Sequence, residues 1–281
     1  MKILNKLIEW SFLLFSTGTV LLFLGVIIFD IVSKGSSSLS WDFVSQLPTQ
    51  SMTKGGILPA ILGTIMLTLL TALFCVPFGV CCAIYLNEYA KNNALTKVIR
   101  ASIRNLSGIP SIIYGLFGLA LFVQGLGLGT SMISAGLTLG LLSLPYIITT
   151  TEEALRRIPN STREGALAVG ATQFESIKDV VLPSALPGIL TGIVLTLSRA
   201  AGETAPILFT GVAFYINTST GYLNQEFMAL PYHLYMLSTQ HQAIEQVRPL
   251  AYGTALVLII VVFLLSLTAF IIRHKYSKND K

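Results

Sequence analysis

Charge is scarce in this sequence. Only 11% of its 281 residues are charged, against about 25% in an ordinary soluble domain, while 53% are apolar. The mean hydropathy is +0.73. A soluble fold of this length would leave many of those side chains in water, so a soluble domain is excluded and a bilayer fits. Acids are scarcer than bases, 13 against 18, for a net charge of +5. The bases are scattered among short loops between apolar runs, which argues against nucleic acid as a partner. Cys75, Cys81 and Cys82 fall in one apolar run without CxxC or Cys/His ligand spacing, so they read as core or lipid-facing residues. His233, His241 and His274 stand apart in loops or the tail. With no HExxH and no GxSxG in the chain, neither a metal site nor a nucleophile constellation can be assembled, and an intramembrane enzyme is disfavoured. No Gly-Lys dipeptide occurs, hence no P-loop to cradle nucleotide phosphates.

What is present is a succession of long apolar runs. Stretches of about 20 residues with little charge predict six spans: Ser11 to Phe29, Ile57 to Leu86, Leu106 to Gly129, Ser131 to Thr150, Ser184 to Val212 and Leu250 to Ile272. The first has the charge order of a signal peptide but is too long for one and lacks a clear cleavage site, so it reads as a retained span. The second is long enough to tilt or to break at Pro77. The third and fourth are joined by a tight hairpin around Gly127 and Gly129. An even count puts both termini on one side. With that side cytoplasmic, the inner segments hold Lys2 and Lys6; Lys91, Lys97, Arg100 and Arg104; Arg156, Arg157, Arg163 and Lys178; and Arg273, Lys275, Lys278 and Lys281, fourteen of the eighteen bases. Lys34, Lys54 and Arg248 remain outside. The outer loop Ala213 to Pro249 carries Tyr215, Tyr222, Tyr232, His233 and Gln240, suited either to anchoring at the interface or to meeting an external partner.

The inner segment Thr151 to Pro183 alternates charged and apolar residues and predicts two short helices. Ser161 with Glu164 and Thr172 with Glu175 each offer a capping box, and Gly170 between them suits a left-handed helix end. Pro183 marks the entry to the fifth span. From spacing alone this is either an ordinary amphipathic loop or a docking element. The residues Glu164-Gly-Ala166, Gly170 and Val180-Val-Leu182-Pro183 resemble, with matching spacing, the EAA loop of permease subunits in bacterial ABC importers (E-A-A, three residues, G, nine residues, I-x-L-P). Gly165 and Val180 depart from that pattern. A glycine there loosens the helix by about 1 kcal/mol or less. The resemblance implies that Glu164, Ala166, Gly170, Leu182 and Pro183 dock an ATP-binding subunit.

The fifth span holds Arg199 and Glu203 deep in apolar sequence. A charge near a span centre costs about 2.5 to 3.5 kcal/mol on insertion scales, so such residues face a protein interior or an aqueous path. Four residues apart, they can pair on one helix face. The pair either locks this helix to a neighbour or forms an anion gate, in which Arg199 offers its planar donors to an oxyanion and Glu203 keeps it from trapping the anion. Gly202 and Pro206 loosen the helix beside the pair.

Arg199-Ala-Ala-Gly-Glu203-Thr-Ala-Pro206-Ile-Leu is similar to the R-A-x-G-E-T-A-P-L stretch of the A-type permeases of phosphate-specific ABC importers, and Gly108-Ile-Pro110-Ser to their G-I/V-P-S segment. The likeness extends over nearly the whole chain. It implies an all-α polytopic protein with the type I, MetI-like fold, a single permease domain over residues 1–281 with a coupling loop at 151–183, in a bacterial cell membrane. It further implies a C-type partner permease, two ATP-binding subunits and an extracytoplasmic phosphate-binding protein, with no cofactor on this chain and ATP and Mg2+ held by the ATPase. A permease for phosphonate or sulfate remains an alternative. So does a self-contained secondary transporter, although neither inverted repeats nor discontinuous helices are evident in the sequence.

Overall fold

A computed structural model describes residues 2–216 and 223–278. Tyr222 and Lys281 lie outside the described residues, as do the side chains of Lys2, Arg273, His274, Lys275 and Lys278. The first apolar run forms α1 (Lys2–Gly35), which stands outside the bundle with Phe12, Phe15, Leu22 and Phe29 all exposed. A helix apolar on every side is covered by lipid or by another subunit. Among the described residues it joins the rest toward its end, where Gly35 lies against Tyr252 and Ser38 donates to the Pro249 carbonyl at 2.9 Å. A short helix, α2 (Trp41–Ser45), and a two-stranded hairpin of β1 (Pro48–Thr49) and β2 (Lys54–Gly55) cap that end.

The second run is α3 (Leu58–Ile84), unbroken through Pro77 and widening into a π-turn at Tyr85–Tyr89. The third departs from expectation. Residues 94–125 form α4 (Ala94–Leu106), capped by the Asn93 side chain, and α5 (Ser111–Gly118), which widens over Leu119–Gly125; the two meet at 102°. Pro110 lacks an amide donor and forces Ile109 out of the helical region, and Gly108 adds freedom, so the helix cannot continue. The predicted third span therefore starts at Ser111 rather than Leu106. Its apolar helix is roughly 22 Å long, short of a bilayer core of about 30 Å. Among the described residues five helices are long and apolar enough to cross a membrane, and six if this bent pair is one span.

Gly127 and Gly129, at φ +66 and +65, make the expected tight connection. They lead into α6 (Met132–Arg156), started by the Ser131 side chain accepting from the Ser134 amide. This helix is the central pillar. Gly136 and Gly140 admit Leu70 and Phe74 of α3, and Gly79 of α3 admits Ile147 in return. Without a hydrophobic driving force between helices in lipid, such close approach of small residues supplies the packing.

The loop after α6 forms α7 (Asn160–Ala168) and α8 (Gln173–Glu175), but α8 passes through a π-turn (Ser176–Val181) into α9 (Leu182–Ala200) without interruption. Thr172 and Glu175 form the expected capping box. Ser161 does not cap: Pro159, whose fixed φ suits a helix entry, places the start at Asn160, and Ser161 falls inside the first turn. The expected fifth span also ends early. It stops at Ala200, unwinds over residues 201–204, and resumes as the one-turn α10 (Ala205–Leu208) with Pro206 in its first turn. Two helices are therefore discontinuous, contrary to the sequence reading. The chain then returns through α11 (Leu230–Thr239) to α12 (Ile244–Lys278), and the Leu230 amide donates to the buried Thr64 hydroxyl of α3 at 2.8 Å. His233, expected in a loop, is buried on α11.

Candidate functional site

At the basic end of the bundle, Arg163 of α7 gathers three elements. Its Nε and Nη2 donate to the two carboxylate oxygens of Glu88, at 3.1 and 2.8 Å, while Nη1 and Nη2 donate to the carbonyls of Ile158 and Leu155, at 2.7 and 3.0 Å. Those carbonyls close the end of α6, where a cation also meets the negative end of the helix dipole. Gln173 donates to the Glu88 carbonyl at 2.8 Å. The side chains of Arg163 and Glu88 are only 18% and 6% exposed, so this is a desolvated two-point pair. It fixes α7 to α3 and α6. Beside it, Arg100 of α4 donates to Glu152 of α6 at 2.9 Å and to the Leu86 carbonyl. Neither clasp has a local signature in the sequence, in which Arg100 and Arg163 stand only as inner-loop charges.

Past the clasp, α7 ends in the left-handed turn anticipated at Gly170, φ +92, with the Gly170 amide on the Leu167 carbonyl and the Ala171 amide on the Ala166 carbonyl. Around this tip Val169 is 86% exposed and Phe174 64%. Glu164, Gly170 and Pro183 are exposed, Ala166 and Leu182 half-buried. Apolar side chains held out this way mark a surface that a partner covers.

From Gln173 the continuous helix runs about 40 Å to Arg199. Arg199 sits in its last turn, and Glu203 lies in the unwound stretch beyond. Arg199 Nε donates to Glu203 Oε1 at 3.4 Å, with the two side chains 54% and 17% exposed. The Arg199 guanidinium lies 4.5 Å above the Tyr146 ring of α6. Tyr146 in turn donates to the Ser107 carbonyl at 2.9 Å, and Tyr114 to that of Leu106 at 2.9 Å, so both hydroxyls serve carbonyls freed by the α4–α5 break. Beyond the first break α5 packs on α10, where Gly115 lies close against Ala205 and Pro206. Gly108 and Pro110 thus fall at one break and Gly202 and Pro206 at the other, with Tyr146 reaching both. Among the described residues Arg199 has a carboxylate partner through Nε, and neither Nη1 nor Nη2 has a hydrogen-bond partner. An exposed, planar cation steadied by a ring and one carboxylate can take an oxyanion edge-on.

Residues 75–278 match the family of binding-protein-dependent transport system inner membrane components. The chain is 32% identical to the probable ABC transporter permease protein YqgI of Bacillus subtilis, over 95% of this chain and 94% of that one. It is 36% identical to the phosphate transport system permease protein PstA of Xylella fastidiosa, over 87% and 85%. Among solved structures, a bacterial alginate ABC transporter in complex with a periplasmic protein carries a chain of the same fold, with a TM-score of 0.67 at 18% identity over 95% and 94% of the two chains. The fold, the matched stretch and these relatives agree: the chain belongs to the family of inner membrane components of binding-protein-dependent transport systems.

Proposed function

We propose that this chain is the permease subunit of an ATP-driven importer of inorganic phosphate, forming half of the translocation path and relaying the motion of a separate ATPase. The observation that carries the reading is the placement of Arg199. It ends the one helix that begins at the exposed tip around Gly170, and it presents a free guanidinium edge at the junction of two helix breaks. The name borne by the Xylella relative supports phosphate as the anion. The bent elbow and the unwound 201–204 stretch are the movable parts. Glu164, Ala166, Gly170, Leu182 and Pro183 seat the ATPase. The site at Arg199 and Glu203 passes the anion.

The remaining partners are a C-type permease, two copies of the ATPase that hold the ATP and Mg2+, and an extracytoplasmic phosphate-binding protein. This chain supplies no nucleotide site and no cofactor. Its fourteen inner basic residues orient both termini to the cytoplasm. The test is uptake of labelled phosphate into liposomes containing the assembled complex, with ATP inside and binding protein outside. Uptake that requires ATP, and that excess sulfate or phosphonate leaves intact, is the expected result. Accumulation by this chain alone on an ion gradient would overturn it.

A further inference from the structure

The elbow between α4 and α5 encloses two adjoining cavities of opposite chemistry. One, about 340 Å³, is an apolar trough in which Ile109, Ile113 and Phe117 face Leu141, Leu144 and Ile148 of α6. The other, about 130 Å³, is ringed by Arg100, Arg104 and Arg156 with Glu152 and Glu153. Ile103 lines both, so trough and basic mouth lie side by side.

The mouth retains positive charge. Arg100 is committed to Glu152 and the Leu86 carbonyl. Arg156 reaches Glu152 only at 3.6 Å and its side chain is 53% exposed. Arg104 is exposed and has no hydrogen bond or ion pair among the described residues. The setting fits a lipid-facing groove. Leu95, Val98 and Ile99 on α4 are exposed, Lys97, Arg100 and Arg104 occupy its other side, and the helix turns 102° from α5, as a helix lying in the headgroup zone does. The trough beneath it is then at acyl-chain depth and the mouth at phosphate depth.

We propose that this elbow binds one anionic phospholipid, an acyl chain in the trough and the phosphate against Arg104 and Arg156. A helix of another subunit would fill the trough but leave those guanidinia without an anion. Free phosphate would answer the mouth but leave the trough empty. One molecule carrying both parts answers both. Basic pockets between helices at the cytoplasmic face favour anionic headgroups on the same grounds.

The assembled complex, purified in mild detergent, is equilibrated with phosphatidylglycerol or phosphatidylcholine and its retained lipid read by native mass spectrometry. Phosphatidylglycerol is retained in preference. Arg104→Gln and Arg156→Gln each lower that retention about fivefold without touching phosphatidylcholine. Leu144→Trp, which fills the trough, lowers retention of both lipids. Arg104→Gln breaks no bond within the chain, so its reading does not depend on whether the tryptophan variant folds. Equal retention of the two lipids, or retention unchanged by the arginine substitutions, overturns the proposal. Release of phosphatidylglycerol by excess inorganic phosphate alone, or photocrosslinking of the second permease by a benzophenone maleimide attached to Ile113→Cys in a cysteine-free background, also overturns it and names the other occupant.

Discussion

Arg199 and Glu203 stand on opposite sides of a helix end, four residues apart, yet their side chains still meet at 3.4 Å. One partner is carried by the last turn of a long rigid helix and the other by an unwound segment. A change in the path of residues 201–204 between α9 and α10 can therefore alter the contact. The exposed arginine makes the contact weak, on the order of 1 kcal/mol or less. An incoming oxyanion that engages the free guanidinium edge can compete with a bond of that size, which suits a gate better than a lock.

Tyr146 holds this arrangement by both ends of its side chain, its ring under Arg199 and its hydroxyl on the Ser107 carbonyl. Tyr146→Phe keeps the ring and loses a hydrogen bond of about 1 kcal/mol, so the expected phosphate uptake is near that of the wild type. Tyr146→Leu removes both and should reduce uptake well below the phenylalanine variant. Equal uptake by the two variants would show that the ring does not position Arg199.

The clasp between Arg163 and Glu88 should matter for stability as well as coupling. Glu88→Ala leaves a guanidinium largely buried with its carboxylate gone. Breaking such a pair from one side costs about 3 kcal/mol or more. The expected result is a lowered thermal midpoint of the purified complex and ATPase activity no longer stimulated by loaded binding protein. Glu88→Asp, which keeps the charge but shortens the reach, should recover part of both. A Glu88→Ala complex with unchanged midpoint and unchanged stimulation would remove the clasp from the mechanism.

Substitution at Gly170 tests the tip itself. At φ +92 a side chain is strained by about 1 to 2 kcal/mol even though no neighbour crowds the position. Gly170→Val should unwind the turn between α7 and α8 and reduce the ATPase subunit that co-purifies with the permease. Gly165→Ala, on an open and ordinary helical position, should leave co-purification unchanged or slightly improved.

His233 gives the outer end a dependence on acid. Burial on α11, with a smaller push from His241, holds its imidazole down to about 4 from an ordinary 6.5, and its Nδ1 has no hydrogen-bond partner among the described residues. The unfolded chain takes up the proton near pH 6.5 and the folded chain only near 4. Stability is therefore complete above about pH 6.5 and falls as pH drops toward 4, by up to roughly 3 kcal/mol. Thermal midpoints across that range should slope for the wild type and flatten for His233→Phe. Parallel slopes would place the acid sensitivity elsewhere.

Much of the bundle was legible because its physics is one-dimensional. Apolar runs located the spans, paired glycines located the hairpin, and Thr172 with Glu175 located a helix start. The failures share a cause, which is that a run of apolar letters does not report its own angle. Leu106 to Gly129 read as one span, but the Gly108 to Pro110 turn bends the chain by 102°. Ser184 to Val212 likewise concealed the stop at Ala200. Ser161 matched a capping pattern, and Pro159 had already set the helix start. Long-range partners left no local signal at all: Glu88 meets a guanidinium that is distant in sequence, and Tyr146 looked like any aromatic in a span.

The central claim, that Arg199 handles the transported anion, is tested most directly by phosphate uptake in the reconstituted complex carrying Arg199→Gln, alongside the amount of ATPase subunit that co-purifies with it. Loss of a charge-assisted contact to the anion predicts a fall in uptake of roughly 10- to 100-fold with assembly and ATPase docking unchanged. Uptake at the wild-type rate by a fully assembled Arg199→Gln complex would contradict it.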